Sequence, residues 1–222
     1  MLTLVHKSKN PKFLIITPLR LGDEIYPNLM ESIWINKIQF DWITYCGPDN
    51  IPTNTQNGLN EYCKNNKIPK YFIKVDNDIV FETDVLDEMY KTLKLSSNDI
   101  GYCYSSFAFV GKMTAHFPAQ EFDINKLMNN NYISSVSMIK TKVFQNTGRY
   151  ITDNKYVRLL DWAHWLHLYK LGYKGIKCDG MFNAIIDKQG ISNASADDYH
   201  KKRELVIRDF VNPLKEKFNA KF

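Results

Sequence analysis

Tyr71-Phe72-Ile73-Lys74-Val75-Asp76-Asn77-Asp78 is the stretch on which the reading of the chain turns. Tyr71 to Val75 is a short, mostly apolar run bounded by polar residues, the pattern of a buried strand. Two carboxylates follow at its end. Side chains at i and i+2 of an extended segment share a face, so Asp76 and Asp78 point the same way. In an α/β protein the ends of the parallel strands open into the crevice where ligands bind. Two converging carboxylates repel each other unless a cation lies between them. A hard divalent ion, Mg2+ or Mn2+, taking oxygen ligands and a diphosphate together, suits that arrangement. The plainer alternative is a pair of surface turn residues with Asp78 capping a helix.

Working outward, the first half of the chain alternates strand and helix. Phe13 to Thr17 is a continuous apolar run ended by Pro18, as expected of a strand buried on both faces. Asp23 is a candidate helix cap, and Ile25, Leu29, Ser32, Ile33 and Asn36 follow helical spacing with Pro27 in the first turn. Phe40 to Cys46 reads as a second strand ended by Gly47-Pro48-Asp49-Asn50. Ile51 to Gly58 reads as a polar loop, and Leu59 to Asn66 as a short helix. Asp84 to Leu95 is amphipathic, and Asp99 to Tyr104 is a further strand. This alternation predicts an α/β layer fold with a mostly parallel sheet. In the second half, residues 105–131 read as loop-rich and Tyr132 to Ile139 as a strand. A short helix over Lys142 to Asn146 closes at Gly148, and a helix over Leu160 to Leu171 closes at Gly172. Another strand begins at Gly175. In the tail, Val206, Phe210, Leu214 and Phe218 recur at i+4, predicting an amphipathic helix that restarts at Asn212-Pro213. With no internal repeat and no linker-like stretch, 1–222 reads as a single domain.

Composition limits the function classes. Hydrophobic residues are 44% and aromatics 14%, which excludes general disorder. The net charge is +5, but only five of the 29 basic residues are Arg. Readers of nucleic-acid sequence favour Arg for its planar, bidentate fork. A non-catalytic polyanion binder is therefore the weaker alternative, although the Lys excess leaves a polyanionic substrate open. Cys46, Cys63, Cys103 and Cys178 match no zinc or redox spacing and read as separate reduced thiols. No stretch reaches the ~18 to 20 apolar residues of a membrane span. The expectation is a soluble, cytoplasmic protein.

A second constellation lies at Leu159-Leu160-Asp161-Trp162-Ala163-His164-Trp165-Leu166. A carboxylate at a helix start is favoured by the macrodipole, so Asp161 could be simply an N-terminal capping residue. The functional alternative is a general base beside an aromatic wall, Trp162 and Trp165, against which a sugar acceptor packs. Asp161, His164 and His167 as a metal set lack the i, i+4 histidine pair of the zincins.

These two constellations, in this order, resemble the family 2 glycosyltransferases of the GT-A fold. Phe13 to Pro18 looks like the first strand of that family, and Leu29-Met-Glu-Ser32-Ile33 like its "L-x-x-S-I". Val75-Asp76-Asn77-Asp78 stands where the family has its DxD. Ser137 to Tyr150 resembles "R-x-V-F-x-x-x-G-G-F", and Leu160 to Tyr173 resembles "E-D-x-D-L-W-x-R-L-x-x-x-G-Y". The resemblance implies a GT-A, mixed but mostly parallel sheet flanked by helices. It implies a nucleotide-sugar-binding half at about 1–104, an acceptor half at about 105–196 and a C-terminal helix at 197–222. It further implies an inverting transfer from a nucleotide-diphosphate sugar, a UDP-sugar foremost. The acceptor would be a hydroxyl of a glycan or of a hydroxylated base in DNA. Asp76 and Asp78 would hold Mn2+ or Mg2+ on the donor, Asp161 would be the base, and Thr17, Pro18 and Arg20 would lie by the nucleotide. Asp49 would read the base or ribose, and Asp187 or His200 would complete the metal site. Leu160 departs from the family, which has an acidic residue there. A competing reading is the D-x-D-x-[TV] of haloacid-dehalogenase-type phosphatases in Asp76-Asn-Asp78-Ile-Val80, with Asp76 as nucleophile. That reading needs a later Gly-Asp-x-x-x-Asp, which the sequence lacks.

Overall fold

The structure is a computed structural model, and it describes residues 1–186 and 196–219. Its centre is three parallel strands: β2 (Phe13–Leu19), β3 (Phe40–Cys46) and β4 (Tyr71–Lys74). Every residue of β2 is buried, as its unbroken apolar run requires. β2 lies between β3 and β4. The helix α1 (Pro27–Trp34) leads to one side of β2, and α2 (Ile51–Asn65) leads back across to the other. The strand order therefore reverses at β2/β4, the position where open α/β sheets form a ligand crevice. The segments after β2, β3 and β4 converge there.

The sheet continues as a mixed sheet. Among the described residues it has nine strands in the order β1-β3-β2-β4-β8-β6-β9-β5, with β7 folded back on β6. These added strands are β1 (Leu2–His6), β5 (Ile79–Phe81), β6 (Ile100–Gly111), β7 (Ala115–Phe117), β8 (Met138–Lys140) and β9 (Lys174–Ile186). The remaining helices are α3 (Val85–Leu95), α4 (Ile124–Asn129), α5 (Thr141–Asn146), α6 (Leu160–Lys170), α7 (Ala196–Val206) and α8 (Asn212–Asn219). A π-helical segment, Ile207–Val211, joins the last two. One core holds α6 with Trp162, Trp165, Tyr102, Val206 and Leu214; the other gathers Phe13, Trp42, Leu29 and Met89 from β2, β3, α1 and α3. The architecture is the expected mixed α/β sheet flanked by helices.

Four elements differ from the sequence reading. Ile51 to Gly58 is helical, because Asn50 caps α2 by accepting from the Thr53 N–H at 2.9 Å and Pro52 occupies the first turn. β6 runs on to Gly111; a register shift between Tyr104 and Ser106 places a polar pair in mid-strand, after which Phe107 stacks on Phe117 and Phe182. The strand expected over Tyr132 to Ile139 shrinks to Met138–Lys140. Upstream, Asn131 accepts from Ile133 N, Ser134 Oγ accepts from Val136 N, and Ser137 Oγ donates to the Ser134 carbonyl. These side chains compete with a strand ladder for the backbone. The N-terminal run forms β1, an antiparallel edge on β3.

Candidate active site at the strand switch point

β4 delivers the acidic tripeptide. Val75 N donates to Ile16 O at 2.9 Å, extending the β2–β4 pairing by one residue. The chain then turns, with Ile79 N on the Asp76 carbonyl at 3.3 Å and Ile185 N on the Asp78 carbonyl at 2.8 Å. The tripeptide is thus clamped between β2 and β9. The middle residue is also engaged: Asn77 accepts from Tyr26 N at 2.9 Å and donates to the Glu24 carbonyl at 2.7 Å. It fastens the loop that follows β2 onto the end of β4.

Lys74 is buried, at 5% exposure, although it is the charged residue of an otherwise apolar strand. Its ammonium lies 2.5 Å from Asp76 Oδ2 and 3.3 Å from Ser135 Oγ. The Ser135 hydroxyl also reaches Asp76 Oδ2, at 3.4 Å. The other oxygen, Asp76 Oδ1, is buried with no hydrogen-bond partner among the described residues. Buried polar atoms are rarely left so.

Asp161 opens α6 opposite this cluster. Its carboxylate accepts from Asn131 Nδ2 at 3.0 Å and from the Trp162 N–H at 2.9 Å. Burial pushes its pKa up to about 6, against the Trp162 N–H, the Lys74 charge and Asn131, which all favour the ionised form. Tyr150, its hydroxyl buried, lies nearby. Its ring meets those of Phe144 and His164 at 4.9 and 4.8 Å, and burial, with the Asp76 charge beyond it, keeps the phenol protonated. His164 is fully enclosed with neither ring nitrogen bonded among the described residues, and burial, helped by His167, pulls its pKa down to about 3. It is neutral and packs as an aromatic ring. Asp161, His164 and His167 form no metal set.

The donor chemistry suits a divalent cation held jointly with a substrate. Asp76 Oδ1 has its lone pairs unused, and Mg2+-like ions use one or two carboxylates, with phosphates and water supplying the rest. Among the described residues no group of three His, Cys, Asp or Glu forms a pre-built cage. Asp187 lies outside the described residues. His200 is exposed on α7, 5.9 Å from the ring of Tyr199.

Several expected site residues have other tasks. Thr17 is wholly buried, and its hydroxyl accepts from the Trp42 indole at 3.1 Å, so its side chain is a core strut. Pro18 is buried within β2, paired with Tyr45. Trp162 and Trp165 are each 1% exposed; their indole N–H groups bond the carbonyls of Leu127 and Ile133, and Trp165 stacks on Tyr102. They form no acceptor wall, because α6 is enclosed and directs both indoles into the core. Arg20 and Asp49 stand exposed at the strand ends that form the crevice. Asp49 is 3.4 Å from Asn57, beside the Asn50 cap.

Lys74, Asn131, Ser135 and Tyr150 were not reached from the sequence. For Lys74 there was a signal: a charge inside a buried strand demands a partner. The other three come from irregular segments whose positions depend on tertiary structure.

No known family model and no curated protein sequence matches the chain. Solved structures do. The chain superposes on residues 1–349 of S. aureus TarS with a TM-score of 0.56 and 13% identity, covering 88% of this chain and 64% of that one. The same TarS fragment in complex with UDP-GlcNAc gives a TM-score of 0.57 at 12% identity, covering 88% of this chain and 65% of that one. A longer TarS chain gives 0.55, with 39% of its length covered. The chain thus spans under two thirds of the length of these structures. At such identity the likeness speaks to architecture, and the architecture is the GT-A type.

Proposed function

We propose that this protein transfers a sugar, a hexose foremost, from a nucleotide-diphosphate donor to an acceptor hydroxyl, with Asp161 as general base. The observation that carries the reading is the meeting of two carboxylate groups from distant parts of the chain. Asp76, just past the end of β4 at the switch point of the sheet, is bonded to Lys74, whose charge also bears on Asp161 at the start of α6. That TarS has been crystallised with UDP-GlcNAc and with UDP favours a UDP-sugar.

A base with a pKa near 6 is ionised at neutral pH and still basic enough to accept the hydroxyl proton as the new bond forms. Asn131 and the Trp162 N–H aim its carboxylate, and attack from the face opposite the leaving diphosphate inverts the anomeric centre. Asp78, with the unused oxygen of Asp76, would hold Mn2+ or Mg2+, which would supply Lewis-acid compensation of the diphosphate charge. Arg20 at the rim faces the nucleotide, and Asp49 meets the ribose or base. With both tryptophans in the core, the acceptor is held by its hydroxyl at Asp161 and by exposed groups beyond it. A glycan acceptor is our reading. A steep fall of acceptor affinity with salt would point instead to DNA, through counterion release.

The expected outcome for Asp78→Ala is a loss, tenfold or more, of Mn2+-dependent UDP affinity measured by calorimetry; affinity equal to wild type with and without Mn2+ would contradict the metal role. Release of UDP from a panel of UDP-hexoses, followed with and without candidate acceptors, tests the activity itself.

A further inference from the structure

We infer that Asn77, the middle residue of the acidic tripeptide, is a positioning residue for the donor: its amide holds the loop between β2 and α1, and Arg20 with it, against the end of β4. This inference rests on the donor reading proposed for the crevice. The Asn77 side chain accepts from the Tyr26 N–H at 2.9 Å and donates to the Glu24 carbonyl at 2.7 Å. A residue of a parallel ladder makes the same pair of bonds with its backbone, to the carbonyl before its partner and the N–H after it. The Asn77 amide thus stands in for a strand residue opposite Ile25. It fits because a carboxamide carries both an acceptor and donors. A carboxylate at 77 would put an oxygen against the Glu24 carbonyl, and an apolar side chain would make neither bond.

The loop is held at both limbs. After β2 ends at Leu19, Arg20 to Asp23 close a tight turn. The Asp23 N–H donates to the Arg20 carbonyl and the Arg20 N–H to Asp23 Oδ2, each at 3.1 Å, and Gly22 takes a φ of +90°. The outgoing limb is tied to the end of β3: Cys46 Sγ donates to the Arg20 carbonyl at 3.1 Å, and the Gly47 N–H to the Leu19 carbonyl at 3.4 Å. The return limb is exposed as far as Ile25, which is half-buried and packs on the core of β2, β3, α1 and α3. The hydrogen bonds that tie this limb to the end of β4 are those of Asn77, 51 and 53 positions further along the chain. Arg20 therefore stands between two fixed points, the end of β3 and the residue between Asp76 and Asp78. A loop that is already placed loses less conformational freedom when the donor arrives, so the clasp acts on nucleotide affinity.

The test is calorimetry of UDP with Mn2+ on the whole protein, joined to hydrogen exchange of the Tyr26 amide in the ligand-free protein. In Asn77→Ala the UDP Kd should rise by about tenfold, the worth of one or two such hydrogen bonds, and the Tyr26 amide should exchange several-fold faster. In an Arg20→Ala background the same substitution should change the UDP Kd by less than about twofold, because the clasp acts through the loop that carries Arg20. A UDP Kd or a Tyr26 exchange rate in Asn77→Ala equal to wild type overturns the inference, and so do effects of the two substitutions that simply multiply. Should Asn77→Ala not fold, Asn77→Leu, close to asparagine in size, removes the same two bonds and takes its place. A wild-type protein that binds no UDP sinks the donor reading and this inference with it; a wild type that binds UDP beside an Asn77→Ala that binds it equally well sinks the inference alone.

Discussion

Asp161 destabilises the fold at neutral pH. Its folded pKa of about 6 lies above the ~3.9 of an unfolded Asp, so the folded state binds its proton more tightly. Its contribution to stability is full below pH 4 and is lost as pH rises through 6. The gap between the folded and unfolded values corresponds to about 3 kcal/mol as an upper bound. Asp161→Asn should therefore raise Tm at pH 7.5 while reducing kcat by about 10²-fold or more, and its stability advantage should vanish near pH 4. A variant less stable than wild type at pH 7.5, or one with wild-type transfer, would contradict the assignment. For the wild type, kcat should fall below about pH 6 as the base is protonated. At this scale the sequence shows its charges and hides their partners. Asp76, Asp78 and Asp161 stand out as candidates in the sequence because carboxylates at a strand end or a helix start carry a local rationale. Lys74 was visible only as a charge in an apolar run, and Thr17 was misread because its partner, Trp42, lies 25 positions away.

Among the elements, α6 and α2 show where local pattern fails. The aromatic richness of α6 suggested a sugar wall, but a helix that is apolar on most faces is a buried one. Trp165→Ala should cost about 3 to 5 kcal/mol of stability, as expected for emptying a packed aromatic site, read as a lower denaturation midpoint. A raised acceptor KM at unchanged stability would restore the wall. In α2, Gly58 stands in mid-helix, where Ala would ordinarily gain up to ~1 kcal/mol. Here an added Cβ would lie 2.6 Å from Ile16 Cδ1 and 2.8 Å from Tyr45 Cβ. Overpacking of about 1 to 3 kcal/mol outweighs the propensity gain, so Gly58→Ala should lower Tm; a rise would show that α2 can lift away from the sheet. This close approach explains why α2 looked like a loop: its buried face includes Asn54, Thr55 and Gly58 in place of a hydrophobic stripe. Strands β2, β3 and β4 were readable because burial on both faces writes a continuous apolar run. β1 and β5, at the edges, and β8, three residues long, carry no such pattern.

For the whole molecule, the alternation of strand and helix fixed the parallel centre, and the crevice follows from the order β3-β2-β4. Non-local pairings, such as β6 with β9 across more than sixty residues, decided the rest. Among the described residues no helix is long and apolar enough to cross a membrane. The charge of +5 is spread along the chain, and the buried Lys74 is paired with Asp76 at the proposed site. The central claim is that this crevice binds a nucleotide-diphosphate sugar, and thermal unfolding tests it most directly. A ligand at 100 times its Kd stabilises the fold by about 2.7 kcal/mol, a rise in Tm of roughly 5 to 10 °C for a domain of this size. With Mn2+ present, at least one UDP-sugar should produce such a rise in the wild-type protein and a much smaller one in Asp78→Ala. If no UDP-, GDP-, CMP- or dTDP-sugar raises Tm with or without Mn2+, the account is wrong at its centre.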